Sequence, residues 1–500
     1  MNKTDYKLIS LALIGFLFFQ AILVYYVRIT DYDEAVFLDV ARNIHRVGLP
    51  LRSISPEGRL YFIHTPLYLY LVSASVYLFG ESLLWTRMVT MMFAIGSIVL
   101  TYLIVRREQT AVSSFVAGLL LALNTFFAIY SYFLTMEVPM MFFILMAIYL
   151  LSREGSRPFW QYFGAGIAVA LAIMLKELAL VFLGVTALYV FVFGRNWQER
   201  ILQSVWFVLP TIIATIMWVL WGINLDKSKF WAGTSSWLGF VHGANNVAGT
   251  RNLQMLPWLN MLGNNFYSWG MIILFVASIF AYFIWFRRKL PQIFWLLLLY
   301  FGFATGISFF ISIKEPRHII ALIPVVAMMI GMLVDWDSVW RFVRTKPMRL
   351  IPIMVVVLLL AWNISPFKIP PKAQWEQIES WWEPMFSHRI FYSQQYYSVL
   401  EDTGHYLAEI TSPETVITVM HEGPIVGYYA DRPNYFLYTM KYPRVLEVLR
   451  DTEFLVIDRQ VFFELSSEEI DSVMQYIENN FEIIQILENQ GRQVSVYKHQ

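Results

Sequence analysis

Apolar residues fall in long runs, near 8 to 28, 85 to 105, 111 to 132, 138 to 151, 159 to 175, 178 to 193, 201 to 222, 269 to 286, 293 to 313, 319 to 334 and 350 to 364. A helix needs roughly 20 such residues to cross a hydrocarbon core of about 30 Å. Eleven transmembrane helices are therefore predicted, the 138 and 178 runs being the shortest. An odd number puts the two chain ends on opposite sides. Lys3 and Lys7 precede the first run and no small-residue cleavage site follows it, so that run is expected to stay as an uncleaved span.

Between the runs the pattern changes character. Val36, Phe37, Val40, Ala41, Ile44 and Val47 recur at helical spacing and predict a helix with one apolar face lying on the membrane. Phe62 to Gly80 is apolar enough to pass for another span. Counting it would put Arg106, Arg107, Arg287, Arg288 and Lys289 on alternating sides, so a juxtamembrane helix is expected there instead. Past residue 364 come Pro366, Pro370 and Pro371, and then short strands alternating with helices. The predicted strands are Thr415 to Met420, Phe454 to Asp458, Glu482 to Leu487 and Gln493 to Tyr497; the helices fall near 394 to 411, 443 to 451 and 467 to 480. The expected fold is a multi-pass α-helical membrane protein with a small C-terminal α/β domain. Residues 1–364 form the membrane module, with outer loops at 29–84 and 223–268, and residues 365–500 form the extracytoplasmic domain.

Lysine and arginine set the orientation. With the N-terminus cytoplasmic, the inner connections hold 15 Lys and Arg in 47 residues and the outer ones 12 in 118, which places Asp33 outside. Composition agrees with a bilayer: the chain is 58% hydrophobic and 15% charged, against about 25% charged in soluble domains. A net charge of +1 offers no clustered basic face for a nucleic acid. With no cysteine there is no disulfide framework, thiolate nucleophile or cysteine metal site. The 223–268 loop is rich in Trp and Asn (Trp231, Trp237, Trp258, Asn245, Asn246, Asn264, Asn265), as an interfacial belt or a sugar-stacking surface would be.

The chemistry concentrates at the outer face. Asp31, Asp33 and Glu34 stand where the first run meets water. A carboxylate beside a membrane gains basicity from desolvation and acidic neighbours, which suits a general base acting on an acceptor hydroxyl; capping of the following helix by Asp31 or Asp33 is the plainer use. On the same side by topology are His64, Arg87, Lys176 and the run Lys314-Glu315-Pro316-Arg317-His318. Such donors suit a phosphate leaving group, although each alone fits a side chain snorkelling to the interface. Glu137 opens an apolar run, where an acid is functional or paired, and Arg87 is the expected partner. Lys176 and Glu177 form either part of the site or a self-satisfied ion pair.

Asp33-Glu34-Ala35, His64-Thr65-Pro66-Leu67-Tyr68, Leu78-Phe79-Gly80, Arg87, Met136-Glu137-Val138-Pro139, Leu175-Lys176-Glu177 and Arg317 to Pro324 occur in that order. Over roughly residues 8 to 330 the chain thereby resembles the polyprenyl-phosphate-sugar-dependent glycosyltransferases of the GT-C fold, in the protein O-mannosyltransferase and lipid A aminoarabinose transferase branch. The resemblance implies that Asp33 is the catalytic base with Glu34 its neighbour and Glu137 the second acid. His64, Arg87 and the 314 to 318 cluster would hold the lipid phosphate. It departs at Glu137, commonly Asp, and at Thr65-Pro66, commonly two prolines. The expected activity is inverting transfer of a sugar from a polyprenyl-phosphate donor to a hydroxyl of a protein or glycolipid at the cell envelope. No cofactor is required, and a divalent cation held by Asp33 and Glu137 is compatible with the scheme. The alternative is a lipid or glycan flippase, which would place charges near mid-span and repeat its broken helices in two halves. A third is a binding protein whose C-terminal domain is the active part.

Overall fold

In the computed structural model, the described residues are 3–24, 29, 32–56, 59–152, 158–194, 196–242, 268–283, 290–310, 317, 320–334, 336, 393–438, 440–458, 462, 465–489 and 492–500. In chain order the helices are α1 (Lys3–Val24), α2 (Tyr32–Val47), α3 (Leu67–Phe79), α4 (Leu83–Glu108), α5 (Ala111–Ala122), α6 (Thr125–Tyr132), α7 (Glu137–Leu151), α8 (Phe159–Leu175), α9 (Leu180–Phe193), α10 (Trp197–His242), α11 (Ser268–Ala281), α12 (Gln292–Phe310) and α13 (Leu322–Leu333). Strands β1 (Leu51–Arg52) and β2 (Arg59–Leu60) lie between α2 and α3. After the undescribed stretch come α14 (Ser393–Ile410), β3 (Ile417–Val419), α15 (Gly423–Ala430), β4 (Asn434–Phe436), α16 (Tyr442–Arg450), β5 (Phe454–Ile457), α17 (Ser467–Asn480), β6 (Phe481–Asn489) and β7 (Arg492–His499). The chain divides into two compact units, one of residues 1–25, 62–68 and 87–386, the other of 26–61, 69–86 and 387–500.

The first unit is helical. Ten of the eleven apolar runs contain a helix here, and the run at 350 to 364 lies outside the described residues. Among the described residues two helices, Leu83–Glu108 and Trp197–Ser235, are long and apolar enough to cross a membrane; Ala111–Ala122 with Phe126–Tyr132 makes a third if that bent pair is one span. Seven other apolar helices among the described residues are 10–17 residues long. Polar side chains cut the continuous runs. Asn124 accepts the N–H of Phe127 at 2.9 Å and restarts the helix there, so the 111 to 132 run bends by 62°. Asp226 leaves helical geometry and accepts the N–H of Lys229 at 3.0 Å. The helix then runs on to His242, which corrects the expectation of a loop from residue 223. Asn245, Asn246, Trp258, Asn264 and Asn265 lie outside the described residues.

Three contacts set helix positions in this unit. Buried Asp5 accepts from Arg106 Nε at 2.7 Å and from the Tyr102 hydroxyl at 2.8 Å, pinning the start of α1 to the end of α4. Gln20 donates to the carbonyl of Ala128 at 2.8 Å and ties α1 to α6. In α8 a Cβ on Gly166 would collide with the Phe207 carbonyl oxygen of α10. Only a residue without a side chain lets these backbones approach so closely.

The second unit is α/β. Its five-stranded sheet has the order β4-β3-β5-β7-β6, with β3 parallel to β4 and β5, and β7 antiparallel to β5 and β6. Met420, Leu437, Val445, Leu449, Leu455, Val473 and Ile477 form its core. Ser466 and Glu469 close a capping box that starts α17. The helix α15 and strand β4 were not expected: α15 is eight residues opening on Gly-Pro, and β4 only three. The sheet shares its unit with the first long connection. Both the backbone N–H and the side-chain amide of Asn434 donate to the Ile54 carbonyl, at 2.9 and 3.0 Å, joining the β1–β2 turn to β4. Arg42 of α2 pairs with Glu81 at 2.9 Å and Asp431 at 3.0 Å, and lies 4.4 Å above the Tyr428 ring.

One expectation about the first connection needs revision. Every residue of α2 from Glu34 to Ile44 is buried, so this helix is enclosed on all sides and does not present one apolar face to a membrane. α3 is a helix of 13 residues, about 20 Å long and too short to cross a bilayer alone.

Candidate functional site

Helix ends bring four of the predicted residues, with Glu177, into one network in the first unit. Glu137 is the first residue of α7 and is buried. Its Oε1 lies 3.4 Å from Lys176 Nζ, just past the end of α8, and 3.9 Å from Arg317 Nε. One carboxylate therefore sits between two cations. Glu177 opens the single turn of 3-10 helix that leads into α9. Its Oε2 is 3.4 Å from His64 Nδ1, and its Oε1 accepts the N–H of Thr65 at 2.9 Å. The Thr65 hydroxyl donates to the Ile173 carbonyl at 3.1 Å and fastens the segment before α3 to the last turn of α8.

Arg87, near the start of α4, is fully buried, with its guanidinium 4.4 Å from the centre of the Tyr132 ring and 5.3 Å from that of Phe133. These aromatic faces hold the charge by cation–π attraction and stand shortly before Glu137 in the chain. Glu137 makes ion pairs with Lys176 and Arg317, partners that the sequence did not suggest. Likewise Lys176 reaches across to Glu137 and Glu177 to His64, so the neighbours are not a closed pair. Lys314 and His318 lie outside the described residues.

Electrostatics follow from these partners. Burial pushes the Glu177 carboxyl up, but the hydrogen bond and charge of His64, then the charge of Lys176, outweigh it and leave Glu177 below the ordinary carboxylate range. It is therefore ionised at neutral pH. Among the described residues no group of three or more His, Asp or Glu is arranged to hold a metal ion.

In the second unit, Asp33 and Glu34 occupy the first turn of α2, Asp33 half-buried and Glu34 buried. The helix begins at Tyr32, so Asp33 is inside it and is not its cap. An acid in the first turn is favoured by the unpaired N–H groups there. The sequence did not single out Asp39 on the same helix. Its carboxylate is buried and accepts from the Ser53 hydroxyl, from the Ile54 N–H at 3.3 Å and from the Asn43 amide at 3.3 Å. Burial raises its pKa against these hydrogen bonds and the charges of Arg42 and Arg52. Three donors on one buried acid fix the turn after α2.

Residues 63–222 match the family model of dolichyl-phosphate-mannose-protein mannosyltransferases. That stretch holds His64, Arg87, Glu137, Lys176 and Glu177. A protein of Aquifex aeolicus, described as uncharacterised, is 24% identical over 347 residues, 67% of this chain and 64% of its own length; the match thus spans less than two thirds of that relative. Among solved structures, ArnT from Cupriavidus metallidurans bound to undecaprenyl phosphate superposes with a TM-score of 0.64 at 12% identity, over 99% of this chain and 98% of that one. The archaeal oligosaccharyltransferase AglB from Archaeoglobus fulgidus, in complex with an inhibitory peptide and a dolichol-phosphate, gives 0.57 at 12% identity over 89% of this chain and 69% of its own. The chain shares the fold of these solved structures.

Proposed function

We propose that the chain is an integral-membrane glycosyltransferase that moves a sugar from a polyprenyl-phosphate donor to an acceptor hydroxyl. It crosses the membrane eleven times, with the N-terminus cytoplasmic and residues 365–500 outside. The observation that carries this reading is the network in which Glu137 holds Lys176 and Arg317 while Glu177 holds His64. Lys176 and Arg317 meet at the Glu137 carboxylate, and such charge-assisted donors suit an anionic ligand. The ArnT and AglB structures contain undecaprenyl phosphate and dolichol-phosphate respectively, which agrees with a lipid monophosphate as that anion.

The reaction is a single displacement. Asp33 takes the proton of the acceptor hydroxyl, whose oxygen bonds to the anomeric carbon as the bond to the phosphate oxygen breaks, and the configuration inverts. The electron pair leaves with the lipid phosphate, which the cations receive. Side chains neutralise the leaving monophosphate, so the scheme does not require a metal or nucleotide. The charges stand at helix ends, which favours this reading over a flippase lined with charge at mid-span. A protein or a glycolipid hydroxyl is the acceptor class.

The test is Asp33→Asn in membranes supplied with labelled lipid-phosphate sugar. Transfer should fall by about 100-fold or more, as when a general base is lost; wild-type rate in the variant would remove Asp33 from this role.

A further inference from the structure

The function proposed above places His64 in the phosphate-binding network and says of Glu177 only that it holds His64. An ionised carboxylate only accepts hydrogen bonds. With Oε1 taken by the Thr65 N–H and Oε2 lying 3.4 Å from His64 Nδ1, the proton of the imidazole must sit on Nδ1. We infer that Glu177 is a positioning residue, fixing the tautomer and orientation of His64 so that Nε2 is the nitrogen offered to the phosphate of a polyprenyl phosphate. This rests on the proposed function of the site.

The consequence is chemical. With Nδ1 committed to Glu177, any proton exchanged with the ligand passes through Nε2. A phosphate monoanion can give its P–OH proton to Nε2; the O–H bond breaks, an N–H bond forms, and a dianion is left beside an imidazolium with total charge unchanged. Thr65 makes the arrangement rigid, because its backbone is held by Glu177 and its hydroxyl by α8, so the ring is carried on a segment fixed at both points. The sequence spacing does not show this, since Glu177 meets His64 across 113 positions of chain.

The experiment is titration of undecaprenyl phosphate into the detergent-solubilised full chain, with E177Q compared in two backgrounds. The Gln oxygen still accepts from Thr65, but its amide donates toward Nδ1 and forces the opposite tautomer. Binding should weaken about tenfold, the scale of one hydrogen bond to a charged group. In H64K, position 64 has a single amine and no tautomer to choose, so adding E177Q should cost less than about twofold, a non-additivity that a double-mutant cycle isolates. If E177Q does not fold, E177D serves, since its shorter carboxylate withdraws from Nδ1 and should weaken binding only with His64 present. Equal weakening in both backgrounds, or none in either, would overturn the inference while leaving the proposed function standing. Failure of the wild-type chain to bind undecaprenyl phosphate would instead remove the proposed function, and the inference with it.

Discussion

Glu177 in the helical unit and Asp39 in the α/β unit are both buried carboxylates fixed by several donors, yet their pKa values move in opposite directions. Glu177 has an imidazole in contact and a cation close by: His64 lies on one of its oxygens and Lys176 is adjacent in the chain. Asp39 is surrounded by the neutral donors Ser53, Ile54 and Asn43, with Arg42 and Arg52 acting by charge alone. At Glu177 the hydrogen bond and charge of His64, with the charge of Lys176, outweigh desolvation, whereas at Asp39 the hydrogen bonds of Ser53 and Ile54 with the charges of Arg42 and Arg52 do not. The first arrangement builds a charged site, and the second builds a rigid corner.

The comparison breaks most visibly at Glu137, which faces two cations. E137A removes the buried carboxylate that pairs with buried Lys176 and half-buried Arg317, and should cost about 3–5 kcal/mol, the scale for breaking a buried ion pair. Unfolding of the purified variant in detergent measures it, and a loss under about 1 kcal/mol would mean the network is solvent-screened. Asp39 should respond more mildly and in a graded way. D39A strands the donors of Ser53, Asn43 and Ile54 at about 1–3 kcal/mol, while D39N keeps acceptor oxygen and shape and should cost less than half as much. Equal losses for D39A and D39N would show that the negative charge matters there after all.

The finest discrimination is by pH. Glu177 is depressed in the folded state, so its contribution is present above its ordinary value of 4.5 and is lost as pH falls through the lower folded value. Asp39 is raised, so its contribution is full below its ordinary 3.8 and is lost as pH rises through the higher folded value. Subtracting the stability–pH curve of E177Q from that of the parent should give a difference that grows with pH in the acid range, and the D39N difference should shrink over the same range. Differences of the same sign would mean that one of the two acids is partnered differently from its contacts.

The positions of the helices were legible because the hydrophobic runs are long and bounded by charges, as at Leu83–Glu108 and Phe159–Leu175. Their interruptions were not, since Asn124 and Asp226 break the backbone through hydrogen bonds that hydropathy does not register. That His64, Glu137, Lys176 and Arg317 stand near the ends of apolar runs could be read from the chain. Their pairing could not: Lys176 has Glu177 beside it in sequence, yet the ion pair it makes is with Glu137, on the helix before. The burial of α2 on every side was also hidden, because its own sequence has one apolar stripe and what covers the rest comes from distant segments such as the end of α15, where the capping residue Asp431 pairs with Arg42.

Gly166 lies ten residues before Lys176, about 15 Å back along α8, where that helix touches the α10 backbone. A methyl group there must lift or roll α8, and the same motion swings the ammonium at its far end away from Glu137. Substitutions at Gly166 should therefore damage the Lys176–Glu137 pair from about 15 Å away, by misaiming a cation.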